Sequence, residues 1–154
     1  MKLPAEEAFR LFGDRVFSAA FSVTGNREDA DDAVQDAFLK YCTGNRDYTD
    51  EAHIKAWLLR VAINRAKDQQ RSFWHRNRVS WEAYMKELEF SQPEDRSLFE
   101  AVMSLPRNYR VPLHLFYYEE YSVAEIAAIL HSTPGTVKSR LSRGRKLLKS
   151  MLTE

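Results

Sequence analysis

The sequence predicts an all-α protein, two small helical domains joined by a linker. Three features carry this reading. Apolar residues recur at helical spacing along the chain, with few alternating apolar runs and only five glycines and five prolines in 154 residues. Helix-capping signals punctuate that pattern. The periodicity lapses once, across residues 76–96, where Gln-Pro-Glu-Asp stands near the end.

Taken in order, Phe9, Phe12, Val16, Ala20 and Val23 share one helical face, and Gly25 is placed to end that helix. Asn26 can cap the next, in which Ala30, Ala33, Val34, Ala37, Phe38 and Tyr41 form an apolar stripe. A turn-rich loop, TGNRDYTD, leads to a third helix over about 52–71 that buries Ile54, Leu58, Val61 and Ala62. These elements make a first domain of residues 1–75. Residues 76–96 form the linker, within which 81–90 could make a short helix. A second domain, 97–154, opens with Leu98, Val102 and Leu105 ahead of Pro106. Its next helix, 107–119, has Pro112 in its interior, which removes a backbone hydrogen bond and predicts a kink or a restart.

Residues 121–149, YSVAEIAAILHSTPGTVKSRLSRGRKLLK, read as two helices across a tight turn. Ser122 and Glu125 form an S-x-x-E capping box. Thr133 can cap the second helix, with Pro134 in its first position. Val137, Leu141 and Leu148 give that helix a buried face. Lys138, Ser139, Ser142, Arg143, Arg145, Lys146 and Lys149 occupy the other. A split surface of this kind, held by a shorter helix, fits a DNA major groove.

Composition narrows the class. A chain 44% hydrophobic and 29% charged is globular, and no apolar run approaches the roughly 20 residues that cross a bilayer. Glu6 and Glu7 interrupt what would be the apolar core of a signal peptide, so the protein is expected in the cytoplasm. Cys42 has no second cysteine to pair with and is expected to be a buried structural thiol. His53, His75, His114 and His131 are scattered, without a nucleophile–base pair, a metal-ligand spacing or a phosphate loop; neither catalysis nor a cofactor is expected.

Net charge is only +1, but it is unevenly spread. Residues 1–50 hold ten carboxylates against six cations, residues 55–78 seven cations against one carboxylate, and residues 131–154 six against one. Two basic blocks suggest two places for nucleic acid, and the acidic block a basic protein partner. In the second helix Glu28, Asp29, Asp31, Asp32, Gln35 and Asp36 crowd the polar side. They read either as a solvated face near a helix N-terminus or as a docking face for a basic helix. In the third, Trp57, Arg60, Asn64, Lys67 and Arg71 lie along one stripe: an aromatic platform, an amide able to read a base edge, and cations for phosphates. Single-stranded nucleic acid needs that combination. The alternative is a core Trp57 beside solvent-facing cations.

At this point the segments REDADDAVQDAFLKY, KAWLLRVAINRAKDQQR, SLPRNYRVPLHLFYYEEYSVAEIAAIL and PGTVKSRLSRGRKLL can be read together. In order and spacing the chain resembles the extracytoplasmic-function sigma factors of bacterial RNA polymerase. The resemblance implies a first domain similar to sigma domain 2, whose acidic helix, through Asp29, Asp32, Gln35 and Asp36, docks on the polymerase clamp helices. It implies that loop 44–55 and the stripe Trp57, Arg60, Asn64, Lys67 and Arg71 melt the −10 element and hold its single strand. It implies a second domain similar to sigma domain 4, binding the polymerase flap and reading the −35 element. There Lys138, Ser139, Ser142 and Arg143 match base- and backbone-contacting positions, and Arg140, Arg145 and Lys146 match phosphate contacts. An anti-sigma factor is the further partner implied. Trp81, Tyr84 and Phe90 in the linker would contact the polymerase cleft or pack on the first domain.

This sequence departs from the family at three points. Loop 45–55, NRDYTDEAHIK, lacks the family's Phe-Arg-Gly-like segment, Pro112 replaces a helix former, and His131 holds a turn position that is often glycine. The linker's reach is compatible with a bipartite promoter: about 20 residues extend to about 66–72 Å, and ~17 base pairs rise about 58 Å. The competing class is a self-sufficient helix-turn-helix regulator with an N-terminal ligand or dimerisation domain, which would have no need of Trp57 and Asn64 beside a basic stripe.

Overall fold

The computed structural model describes residues 1–73 and 93–152, and among them every regular element is a helix. In order these are α1 (Ala5–Thr24), α2 (Arg27–Thr43), α3 (Glu51–Phe73), α4 (Pro93–Ser104), α5 (Arg107–Tyr117), α6 (Val123–Leu130) and α7 (Pro134–Leu152). The chain divides into two units, residues 1–80 and 81–154. Most of the expected linker, the short helix considered for 81–90, and Trp81, Tyr84 and Phe90 lie outside the described residues. The second unit's first helix starts earlier than Ser97, at Pro93. Proline loses no hydrogen bond in a first position, and Glu94 and Asp95 follow where the helix dipole favours acids.

In the first unit α1, α2 and α3 pack pairwise around one core. Gly25 ends α1 in the left-handed region (φ 64°), and its N–H reaches Phe21 O. Asn26 then starts α2, its Oδ1 accepting from Asp29 N at 3.3 Å. Ala30, Ala33 and Ala37 are fully buried, small enough for α2 to sit close to its neighbours, and Tyr41 closes the stripe. From α3 come Ile54, Leu58, Leu59, Ala62, Ile63 and Ala66, all without exposed surface. Three expectations need correction. Phe9 is 56% exposed, meeting Phe38 edge-on instead of entering the core. Val61 is only half-buried, because the core side of α3 is centred on Leu58, Ala62 and Leu59. Cys42 is exposed, since it follows the buried Tyr41 and a step of one residue turns it outward.

In the second unit α5 and α7 form the main contact, with α4 and α6 packed beside them. Arg110 of α5 donates through Nη1 to Met103 O (3.1 Å) and Leu105 O (3.3 Å), placing a cation at the C-terminal end of α4. Burial, with Arg107 nearby, pulls its guanidinium down to about 10, so it is charged at neutral pH. Pro112 neither ends nor restarts α5, which runs unbroken from Arg107 to Tyr117. The bond it deletes belongs to the carbonyl of Asn108, an exposed residue that water can reach. Gly144 lets α7 come close to α5: a Cβ there would stand 2.8 Å from Leu113 Cδ1. Among the described residues no helix is long and apolar enough to cross a membrane.

Candidate nucleic-acid interface

Helix α7 is held by local chemistry at both of its approaches. Ser122 and Glu125 complete the reciprocal capping box of α6 at 2.9 and 3.1 Å. His131 ends α6 in the left-handed region (φ 53°), the conformation that explains why glycine suits this turn. Thr133 Oγ1 then accepts from Thr136 N at 3.2 Å, starting α7. Val137 and Leu141 are buried beneath it. Leu148 is half-buried, short of the full burial expected, and lines a groove on the α4–α5 side.

With its core side fixed, α7 presents Lys138, Ser139, Ser142, Arg143 and Lys146 to solvent around a shallow trough of about 650 Å³. A second hollow of about 550 Å³ adjoins it through Ser139 and Arg143, and reaches Arg140, Thr133, Thr136, Asn108 and Tyr109. Asn108 and Tyr109 were not legible as members of this surface, because they come from α5 and no spacing links them to α7. Arg145 stands apart from the other cations. Its Nε donates to Tyr117 Oη at 2.7 Å, and its guanidinium lies 5.2 Å from the Phe116 ring centroid and 5.7 Å from that of Tyr117. It lines an apolar groove of about 740 Å³ with Leu98, Val102, Tyr118 and Leu152.

In the first unit α3 turns Arg60 outward, with Asn64 and Lys67 half-exposed on the side away from Ile54, Leu58 and Ala62. Arg71 continues the same helical register. Trp57 differs from its neighbours. Its ring lies 6.3 Å from Tyr41 and 5.9 Å from Tyr48, and the Arg46 guanidinium sits 6.0 Å from its centroid. It is half-buried because the loop before α3 folds over it, and it belongs neither wholly to the core nor wholly to an open platform.

The acidic side of α2 exposes Asp32 and Gln35; Asp29 and Asp36 are half-exposed. Lys40 Nζ lies 3.2 Å from Asp36 Oδ2. Leu39, 62% exposed, shares this strip at i+7 from Asp32 and i+4 from Gln35. Composition gave no reason to select it, since a lone leucine in a helix usually points inward. Among the described residues no group of His, Cys, Asp or Glu is arranged to hold a metal ion.

Comparison with known proteins fits this arrangement. The sigma-70 region 2 model matches residues 8–76, and the sigma-70 region 4 model matches residues 95–148. ECF RNA polymerase sigma factor SigE of Mycolicibacterium smegmatis is 30% identical over 97% of this chain, which spans 62% of that relative's length. ECF RNA polymerase sigma factor SigM of Mycobacterium tuberculosis is 30% identical over 96% of this chain and 76% of its own. The sigma factor RpoE from Bartonella quintana, solved in complex with the anti-sigma factor NepR, superposes with a TM-score of 0.75 at 21% identity, covering 96% of each chain. With both regions matched in order, and a 30% identical relative spanned over 76% of its length, this chain belongs to the ECF family of RNA polymerase sigma factors.

Proposed function

We propose that this chain directs core RNA polymerase to −35/−10 promoters and initiates strand opening. The observation that carries the reading is two chemically different nucleic-acid faces on one chain, beside an acidic surface. The α7 face, with Lys138, Ser139, Ser142 and Arg143 over a shallow trough, suits base edges in a duplex major groove. Arg140 and Lys146 flank them as phosphate contacts; Arg145, held by Tyr117, has a smaller part in that role. The α3 stripe, with Trp57, Asn64 and the cations Arg60, Lys67 and Arg71, suits an opened single strand. Asp29, Asp32, Gln35 and Asp36, with Leu39 among them, dock on the basic clamp helices of the polymerase. The apolar groove beside α4 and α7 receives the flap. Catalysis belongs to the polymerase, and this chain contributes specificity. An anti-sigma factor, the kind of protein that RpoE was solved in complex with, is the further partner of this chain and holds it inactive.

In vitro transcription with core polymerase on a genomic library, with start sites mapped, tests the reading. Start sites sharing common −35 and −10 elements support it, and no stimulation over core polymerase contradicts it.

A further inference from the structure

The loop between α2 and α3 is anchored at both ends by the first residues of the chain. Gly44 leaves α2 in an extended conformation, and a Cβ at this position would meet Lys40 O at 2.9 Å. Its carbonyl accepts from Lys2 Nζ at 2.7 Å, and the same ammonium lies 5.2 Å from the Tyr41 ring centroid. Tyr41 Oη in turn donates to Leu3 O at 2.7 Å. At the other end Tyr48 N donates to Met1 O at 3.0 Å, and Met1 N donates to Tyr48 O at 2.9 Å. The Tyr48 ring is 3% exposed, wedged among Tyr41, His53 and Trp57. Asp50 then caps α3, its Oδ1 accepting from His53 N at 2.8 Å. Between these anchors Asn45, Arg46 and Asp47 are exposed, with Arg46 over Trp57 and the Asp47 carboxylate paired with the Met1 ammonium.

We infer that Lys2 and Tyr48 are positioning residues for strand opening: they seat loop 44–50 so that its tip and Trp57 are presented together to the single strand. The inference rests on the reading of this loop and the α3 stripe as the opening region. Neither residue has to touch DNA. Their effect passes through the backbone at Gly44 and Tyr48 and through the packing of Trp57. An arch fixed at both ends loses little conformational entropy when it engages a strand, which is the general advantage of preorganisation.

The test uses the full chain assembled with core polymerase on a promoter that the wild type opens. Tyr48→Ala should lower permanganate reactivity of −10 thymines about fivefold or more, the scale of a misplaced positioning element, with core affinity changed less than about twofold. Tyr48→Phe, which keeps the ring, should open the promoter as the wild type does. In a Trp74→Phe/Trp81→Phe background, Tyr48→Ala should shift Trp57 emission to the red as its cover is lost. If Tyr48→Ala fails to fold by circular dichroism, Lys2→Ala, a surface change, decides, with a loss of opening of about twofold or more expected. Unchanged opening and unchanged emission in the folded variants would overturn the inference, and so would an equal loss in Tyr48→Phe. A wild type that opens no promoter would contradict the proposed function, while the emission shift, which needs no polymerase, would still judge the seating.

Discussion

Arg145 of α7 donates a 2.7 Å hydrogen bond to the hydroxyl of Tyr117, the last residue of α5, with its guanidinium over the Phe116 and Tyr117 rings. A cation that the family resemblance assigns to phosphate is thereby engaged within the protein. Arg145→Gln should destabilise the second unit by about 0.5–1 kcal/mol, the range of an exposed cation–π contact. Tyr117→Phe, which keeps the ring and deletes only the hydroxyl that accepts from Arg145, should do so by about 0.5 kcal/mol. The losses should be less than additive in a double-mutant cycle followed by urea unfolding. Lys146→Gln should reduce the salt slope of promoter binding by about 1, and Arg145→Gln by clearly less.

Glu120 sits between α5 and α6 with φ 58°, a left-handed conformation that costs a residue with a Cβ about 1–2 kcal/mol. Its side chain is exposed. Glu120→Gly should therefore stabilise the protein by about 1 kcal/mol after the added flexibility of the unfolded chain is subtracted. Thermal unfolding checks this, and Glu120→Val should move the midpoint in the opposite direction.

His114 is buried in α5, its Nε2 without a hydrogen-bond partner among the described residues and its ring 5.1 Å from that of Tyr118. Burial lowers its pKa to about 4, with Glu119 opposing in part. Between pH 6.5 and 4 the unfolded chain therefore binds a proton that the native chain does not, and stability falls as pH falls across that window. At pH 5 the loss relative to pH 7 is on the order of 2 kcal/mol. Urea unfolding at the two pH values should show this for the wild type, and His114→Leu should remove most of the difference.

Leu39 stands 62% exposed within the acidic strip of α2. An apolar side chain amid desolvated polar contacts is the usual form of an interface anchor. Leu39→Gln should weaken binding to core polymerase by about 1 kcal/mol or more. Its unfolding midpoint should barely move, because surface substitutions rarely change stability by more than about 0.5 kcal/mol.

Features whose cause is local were legible in the sequence. Gly25 and Asn26, the Ser122–Glu125 box and Thr133 each act within a few residues, and each caps its helix as local chemistry dictates. Features that depend on a distant neighbour were not. Phe9 keeps helical spacing with the core but stands outside it, edge-on to Phe38. Trp57 lies on the outer side of α3 and is covered because Tyr48 and Arg46 fold back onto it. Pro112 breaks a helix rule, yet burial of Val111, Leu113 and Leu115 around it holds α5 together. The same limit applies to the candidate sites. Residue types and helical faces could be assigned, whereas the fate of Arg145 depended on where α5 ends.

The central claim is that α7 and α3 perform separate steps on one promoter. The most direct test compares Arg143→Ala and Asn64→Ala in polymerase assembled with the full chain, measuring promoter affinity and permanganate reactivity on the same DNA. Arg143→Ala should lose about 1–3 kcal/mol of binding through the −35 element. Asn64→Ala should bind as the wild type does but leave −10 thymines unreactive. Normal opening by Asn64→Ala, or loss of the same step in both variants, would contradict the account.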